Sequence, residues 1–140
     1  MSLSLTELQV RVYLEDTDAF GIVYHGSFVR YMERARTEWL RELGFQQSQT
    51  FERSLGFVIH RLDLRFERPA RLDQCLTVTC KPVALAAATL TFEQIVHDTD
   101  QDIVCCRGEA VIACIDRNNS RPQRIPAAIR SALGALPRRR

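Results

Sequence analysis

Residues 13–38 read YLEDTDAFGIVYHGSFVRYMERARTE, and the spacing of apolar residues changes inside this run. On its N-terminal side Leu8, Val10, Val12 and Leu14 alternate with Gln9, Arg11, Tyr13 and Glu15, the period of a half-buried strand that begins near Leu8. On its C-terminal side Phe28, Met32, Ala35, Trp39 and Leu43 share one helical stripe, with Arg30, Glu33, Arg34, Thr37 and Arg41 facing away. Gly44 stands where a C-terminal cap belongs, so the spacing predicts a helix from Ser27 to Leu43. Between strand and helix lie three carboxylates, an apolar turn around Gly21, and His25. Acid groups are thereby delivered to the positive end of a helix dipole.

Beyond the helix the period returns to two. Leu62, Leu64 and Phe66 alternate with Arg61, Asp63 and Arg65 in a strand expected from Phe57 to Arg68, where Pro69 interrupts the ladder. Further strand-like runs cover Gln74 to Lys81, Ala87 to His97 and Ile103 to Asp116. Turns are marked by His97-Asp98-Thr99-Asp100 and Asp116-Arg117-Asn118-Asn119-Ser120, and Pro126 suits the first turn of a closing helix from Ala127 to Leu136. With no repeat, low-complexity tract or dividing linker, residues 1–140 are expected to form a single α+β domain, one mostly antiparallel sheet under one long helix. Such a sheet keeps open edges, and dimerisation through an edge strand is expected.

Composition excludes several classes. A chain of 140 residues is large enough to bury a substantial core. Its net charge of +2, from 19 basic and 17 acidic residues, is too balanced for a dedicated nucleic-acid binder. Arg138, Arg139 and Arg140 read as a frayed, solvated tail. No apolar stretch approaches a membrane span and no signal-peptide pattern opens the chain, so a cytoplasmic protein without integral membrane association is expected. Cys75, Cys80, Cys105, Cys106 and Cys114 are odd in number, lack CxxC spacing and fall in strand-like segments. They read as reduced, mostly buried thiols, with no structural zinc.

The chemistry concentrates in the opening run. Glu15, Asp16 and Asp18 put three carboxylates within four residues, and repulsion with partial burial would raise the pKa of one of them. The plain alternative is an Asx-type turn leaving the strand. A calcium loop is a poor match, since Asp16-Thr17-Asp18 lacks the glycine and the distal acid, and no metal is expected. The backbone of Gly21-Ile22-Val23-Tyr24-His25-Gly26 feeds the helix start, where unpaired N–H groups can hold a carbonyl or an oxyanion. The competing reading makes Phe20 to Tyr24 a buried connector and His25 a polar residue near the helix cap.

The segment VRVYLEDTDAFGIVYHGSFVRYMERARTEWLRELGF closely resembles the Tol-Pal-associated, YbgC-like acyl-CoA thioesterases of the 4-hydroxybenzoyl-CoA thioesterase superfamily. The likeness continues through RFERPARLDQ, Arg65 to Gln74, and more loosely to ACID, Ala113 to Asp116. The resemblance implies a hotdog fold, a curved antiparallel sheet wrapped around one long helix. It also implies pairing of two units into a homodimer or homotetramer, an acyl-CoA substrate and no cofactor. Carried over by position, Asp18 matches the catalytic carboxylate, either general base or nucleophile. His25 matches the residue that opens the helix, whose N–H is expected to polarise the thioester carbonyl and whose side chain is implicated in the chemistry. Tyr24 and Gly26 flank it as candidate substrate-binding residues.

Three departures accompany the resemblance. Leu14 stands where close relatives have a tyrosine. Phe20 replaces a glycine of the turn, and is expected to narrow the acyl end of the pocket. Ala84 to Ala88 is plain where relatives often carry basic or hydroxyl residues, leaving Arg61, Arg65 and Arg68 as candidate contacts for the CoA phosphates, against the plainer reading of solvated strand arginines. The alternatives to hydrolysis are a hotdog hydratase or dehydratase using the same Asp and His, and a non-catalytic acyl-CoA-binding module.

Overall fold

The computed structural model describes residues 5–45, 54–134 and 136–139. Strand β1 (Thr6–Arg11) leads into a 3-10 turn (Leu14–Asp16) and then helix α1 (His25–Glu42). Strands β2 (Leu55–Phe66), β3 (Cys75–Leu85), β4 (Thr89–Asp98) and β5 (Val104–Asp116) follow, and a short helix α2 (Ala127–Leu133) closes the order. The described strands form one antiparallel five-stranded sheet, β1-β3-β4-β5-β2, so β1 and β2 are its edges. This is the α+β hotdog arrangement.

The helical stripe fixes how α1 sits. Phe28, Tyr31, Met32, Ala35 and Trp39 are buried against Leu76, Val78, Phe92 and Val96 of β3 and β4, and Trp39 meets Phe92 edge-on with centroids 5.0 Å apart. Each such large side chain contributes about 1.5–3 kcal/mol when fully removed from water. Arg30, Glu33, Arg34 and Arg41 are exposed on the other face. Among the described residues no helix is long and apolar enough to cross a membrane.

Three expectations need correction. The alternation through Leu14 does not continue as strand, because β1 stops at Arg11 and the 3-10 turn leaves Leu14 76% exposed. Helix α1 starts at His25 rather than Ser27, which puts the histidine inside its first turn. The tail is not frayed over its described part: Pro137 O accepts a hydrogen bond from Leu85 N at 2.9 Å, and Arg139 pairs with Glu109 at 2.8 Å, while Arg140 lies outside the described residues. The tail lies where β3 has outrun its neighbour, since β1 pairs only Cys75 to Cys80. For the same reason Pro82, at a bulge beyond that pairing, leaves no ladder bond unmade on that side.

The burial of the cysteines is as expected: Cys80, Cys105, Cys106 and Cys114 are buried, with Cys75 at an intermediate position.

Candidate active site at the start of the long helix

Asp16 organises the entry to α1. Its Oδ2 accepts a hydrogen bond from Tyr13 N at 2.9 Å, and its main-chain oxygen accepts from Tyr24 N at 2.8 Å and Ser27 Oγ at 3.1 Å. Ser27 Oγ in turn accepts from Arg30 Nη2 at 2.9 Å. The loop between is held from the far side too, because Val23 N donates to Ala70 O at 2.8 Å. Within it Asp18 N donates to Ile22 O, Gly21 N donates to Asp18 O, and Asp18 Oδ1 accepts from Phe20 N at 2.9 Å. The Asx-type turn and the cleft-lining acid are therefore the same residue.

Asp18 and His25 line one open cleft of about 360 Å³, together with Phe28, Phe66 and Arg68. The His25 ring packs between Tyr24 (centroids 4.2 Å) and the edge of Phe66 (6.2 Å), which fixes its direction. No side chain caps the helix, and the N–H groups of His25 and Gly26 carry no hydrogen bond among the described residues. They remain available to an acceptor at the helix start, where His25 lines the cleft and Gly26 does not. A Cβ on Gly26 would stand 2.7 Å from the Tyr24 ring, so a larger residue there would displace that half-exposed side chain.

The other expected site residues fall elsewhere. Arg65 lies in a depression with Asp63, Glu93 and Arg107, and neither it nor Arg61 lines the Asp18 cleft. Arg61 stands near Glu109, 3.7 Å away. Phe20 is 86% exposed and does not narrow the cleft. Two residues carry weight that the sequence reading did not give them. Asp16 is buried, and the Tyr31 hydroxyl beside it is sealed from water yet closes no hydrogen bond of normal geometry. Burial, reinforced by the Asp16 charge, holds the Tyr31 proton well above the ordinary phenol range. Arg36 is the second, a buried cation on the inward side of α1, bonded to Gln94.

Residues 12–133 match the family model described as the thioesterase-like superfamily. The chain belongs to the thioesterase-like superfamily. By that membership it is a thioester hydrolase. Its thioesterase-like relatives include the acyl-CoA thioester hydrolase YbgC of Escherichia coli O6:H1, 34% identical over 129 residues that span 92% of this chain and 96% of that one. The acyl-CoA thioesterase YbgC of Haemophilus influenzae is 38% identical over 91% of this chain and 93% of its own. Among solved structures, a probable thioesterase from Bartonella henselae superposes with a TM-score of 0.77 at 32% identity, covering 88% of this chain and 99% of that one. A 1,4-dihydroxy-2-naphthoyl-CoA thioesterase from Synechocystis superposes with a TM-score of 0.86 over 92% of this chain and 95% of that one, and at 18% identity it speaks to the fold alone.

Among the described residues of this thioesterase-like chain, no three His, Cys, Asp or Glu side chains converge in a metal-holding group. What converges at the cleft is a carboxylate, an imidazole and the positive end of a helix, a set suited to a carbonyl that gains negative charge.

Proposed function

We propose that the chain hydrolyses acyl-CoA thioesters to the free acid and CoA, with Asp18 and the first turn of α1 as its working parts. The observation that carries this reading is that Asp18 and His25, the first residue of α1, line one open cleft, while the His25 and Gly26 amides have no partner among the described residues. A thioester oxygen accepting from the His25 or Gly26 N–H is held more strongly as it takes on charge in the tetrahedral intermediate. Asp18 Oδ1 is committed to Phe20 N, which leaves Oδ2 to take a proton from the attacking water. Water oxygen bonds to the acyl carbon, the C–S bond breaks, and CoA departs as a thiolate, which a thiol pKa of about 8.5 makes a good leaving group. In the nucleophilic variant Asp18 itself attacks, and water opens the mixed anhydride. Heavy-oxygen label left on the protein after a single turnover marks that second route.

The active form in this reading is a dimer joined along β2. Val58, Ile59 and Phe66 on that edge strand are 42%, 47% and 53% exposed, and Phe66 also lines the Asp18 cleft, so one pairing would cover the apolar edge and wall the site. The deciding experiment is release of free thiol from a panel of acyl-CoAs by purified protein. Turnover of at least some of them supports the reading, and no turnover across short, medium and aromatic acyl groups overturns it.

A further inference from the structure

The turn between β2 and β3 holds the loop that carries Asp18. Within residues 18–22 the hydrogen bonds are internal, from Asp18 N to Ile22 O, Gly21 N to Asp18 O and Phe20 N to Asp18 Oδ1. Among the described residues, the backbone of this segment meets the rest of the fold at an antiparallel bridge between Ile22 and Arg71, beside which Val23 N donates to Ala70 O. The place of Asp18 therefore depends on where residues 70 and 71 lie. Arg68 and Pro69, which lead into them, line the Asp18 cleft.

That turn does not support itself. Asp73 has a φ of 71°, a backbone state that residues other than glycine disfavour, and Gln74 N reaches Arg71 O at 3.2 Å. The Gln74 side chain closes the turn, because its Oε1 accepts from Arg71 N and its Nε2 donates to Asp98 Oδ2 at the end of β4. Asp98 is buried and fixed in its own right, since its Oδ1 accepts from Asp100 N at 2.9 Å and Gln101 N at 2.8 Å. The Gln101 N–H above all holds its carboxyl below the usual carboxylate range, so it meets Gln74 as an anion. A carboxamide suits this place because it accepts on one side and donates on the other, which neither a carboxylate nor a hydrocarbon does.

We infer that Gln74, clamped on Asp98, is a positioning residue for Asp18, fixing the turn against which the Asp18 loop is held. The inference rests on the reading of Asp18 as the working carboxylate of an acyl-CoA thioesterase. Gln74 lines a different and larger cavity, of about 770 Å³, and not the Asp18 cleft. Its effect on turnover runs through the loop, and a misplacement of about 1 Å in a reacting group costs up to about a hundredfold in rate.

The test compares wild type, Gln74→Leu, Asp18→Asn and the double variant by thiol release from an acyl-CoA that the wild type turns over, well below the Tm of each protein. Gln74→Leu is expected to lower kcat by about tenfold with little change in KM. In the Asp18→Asn background the same change should cost less than about twofold, because the group that it places is already gone. A folded Gln74→Leu protein with kcat within about threefold of wild type, or an equal loss in both backgrounds, reduces Gln74 to a structural clamp and leaves the thioesterase reading intact. Should Gln74→Leu not fold, Gln74→Glu decides instead. Two carboxylates at hydrogen-bond distance share a proton, and the protonated side chain restores both bonds of the carboxamide. The ratio of variant to wild-type kcat should then rise as pH falls from about 8 to about 5. Asp18, the cavity charges Arg11, Arg68, Arg71, Asp73 and Asp100, and the Asp98 neighbours His97 and Cys105 are common to both proteins, so the ratio isolates position 74. A flat ratio overturns the inference. A wild type that hydrolyses no acyl-CoA sinks the thioesterase reading and the positioning role with it.

Discussion

Asp16 and Asp18 stand two residues apart in one loop, and their partners separate their roles. Asp18 has one oxygen held by Phe20 N and borders the cleft, so Asp18→Asn should keep the fold and lower kcat by about a hundredfold or more, the scale of a lost general base. A folded Asp18→Asn protein with near wild-type turnover would remove it from the chemistry. Asp16 instead accepts from Tyr13 N while buried, and Asp16→Ala strands that donor at a cost of about 1–3 kcal/mol. Thermal unfolding should register that loss as a fall of several degrees in Tm, and an unchanged Tm would show that the turn holds without it. At His25 the backbone and side chain are separable, because alanine keeps the N–H. His25→Ala is expected to lower kcat clearly, and activity within about twofold of wild type would confine the residue to its amide.

At the level of elements, alternation and helical stripe made most of the fold legible, and the misses have physical causes. Leu14 continues the strand period, but the Asp16 carboxylate captures Tyr13 N and turns the backbone before Leu14 can point inward. Arg36 follows Ala35 on the buried side of α1, yet its charge reads as surface until Gln94 is brought to it by the pairing of β4 with β3 and β5. Arg61 and Arg65 could not be assigned to a face of the site because β2 bulges between Ile59 and Arg61, and no sequence period reports a bulge. The string Asp16 to His25, by contrast, was readable because its hydrogen bonds are mostly local. The β2–β5 contact is tight enough to test directly. A Cβ on Gly108 would stand 1.9 Å from Asp63 O, so Gly108→Ala forces the two strands apart. A loss of about 1–3 kcal/mol is expected, read as a lower urea midpoint at unchanged m-value, and an unmoved midpoint would mean that the ladder yields freely.

For the molecule as a whole, buried thiols set the alkaline limit. Burial raises the pKa values of Cys80, Cys105, Cys106 and Cys114, with Cys106 pushed up to about 12. A raised folded-state pKa means that the unfolded chain gives up its protons first, at about pH 8.5. The associated stability is complete below that value and is lost as pH rises toward the folded-state values. Tm should therefore decline steadily above about pH 8.5, and a flat profile would show that these thiols ionise in place. Assembly is the second property at this scale. Activity should follow the dimer, and a protein that sediments as a monomer under assay conditions while turning over at full rate would exclude the shared edge.

The strand order β1-β3-β4-β5-β2 also governs what happens on the ribosome. Only β3–β4 and β4–β5 join strands that are consecutive in the chain, whereas β2 leaves the exit tunnel before Val104 to Asp116 have followed it out to pair with it. For that interval of synthesis a twelve-residue strand with both hydrogen-bonding edges open travels with the nascent chain. Slowing translation after residue 104 lengthens the interval, so synonymous codons in and beyond β5 should govern soluble yield more than codons in β2.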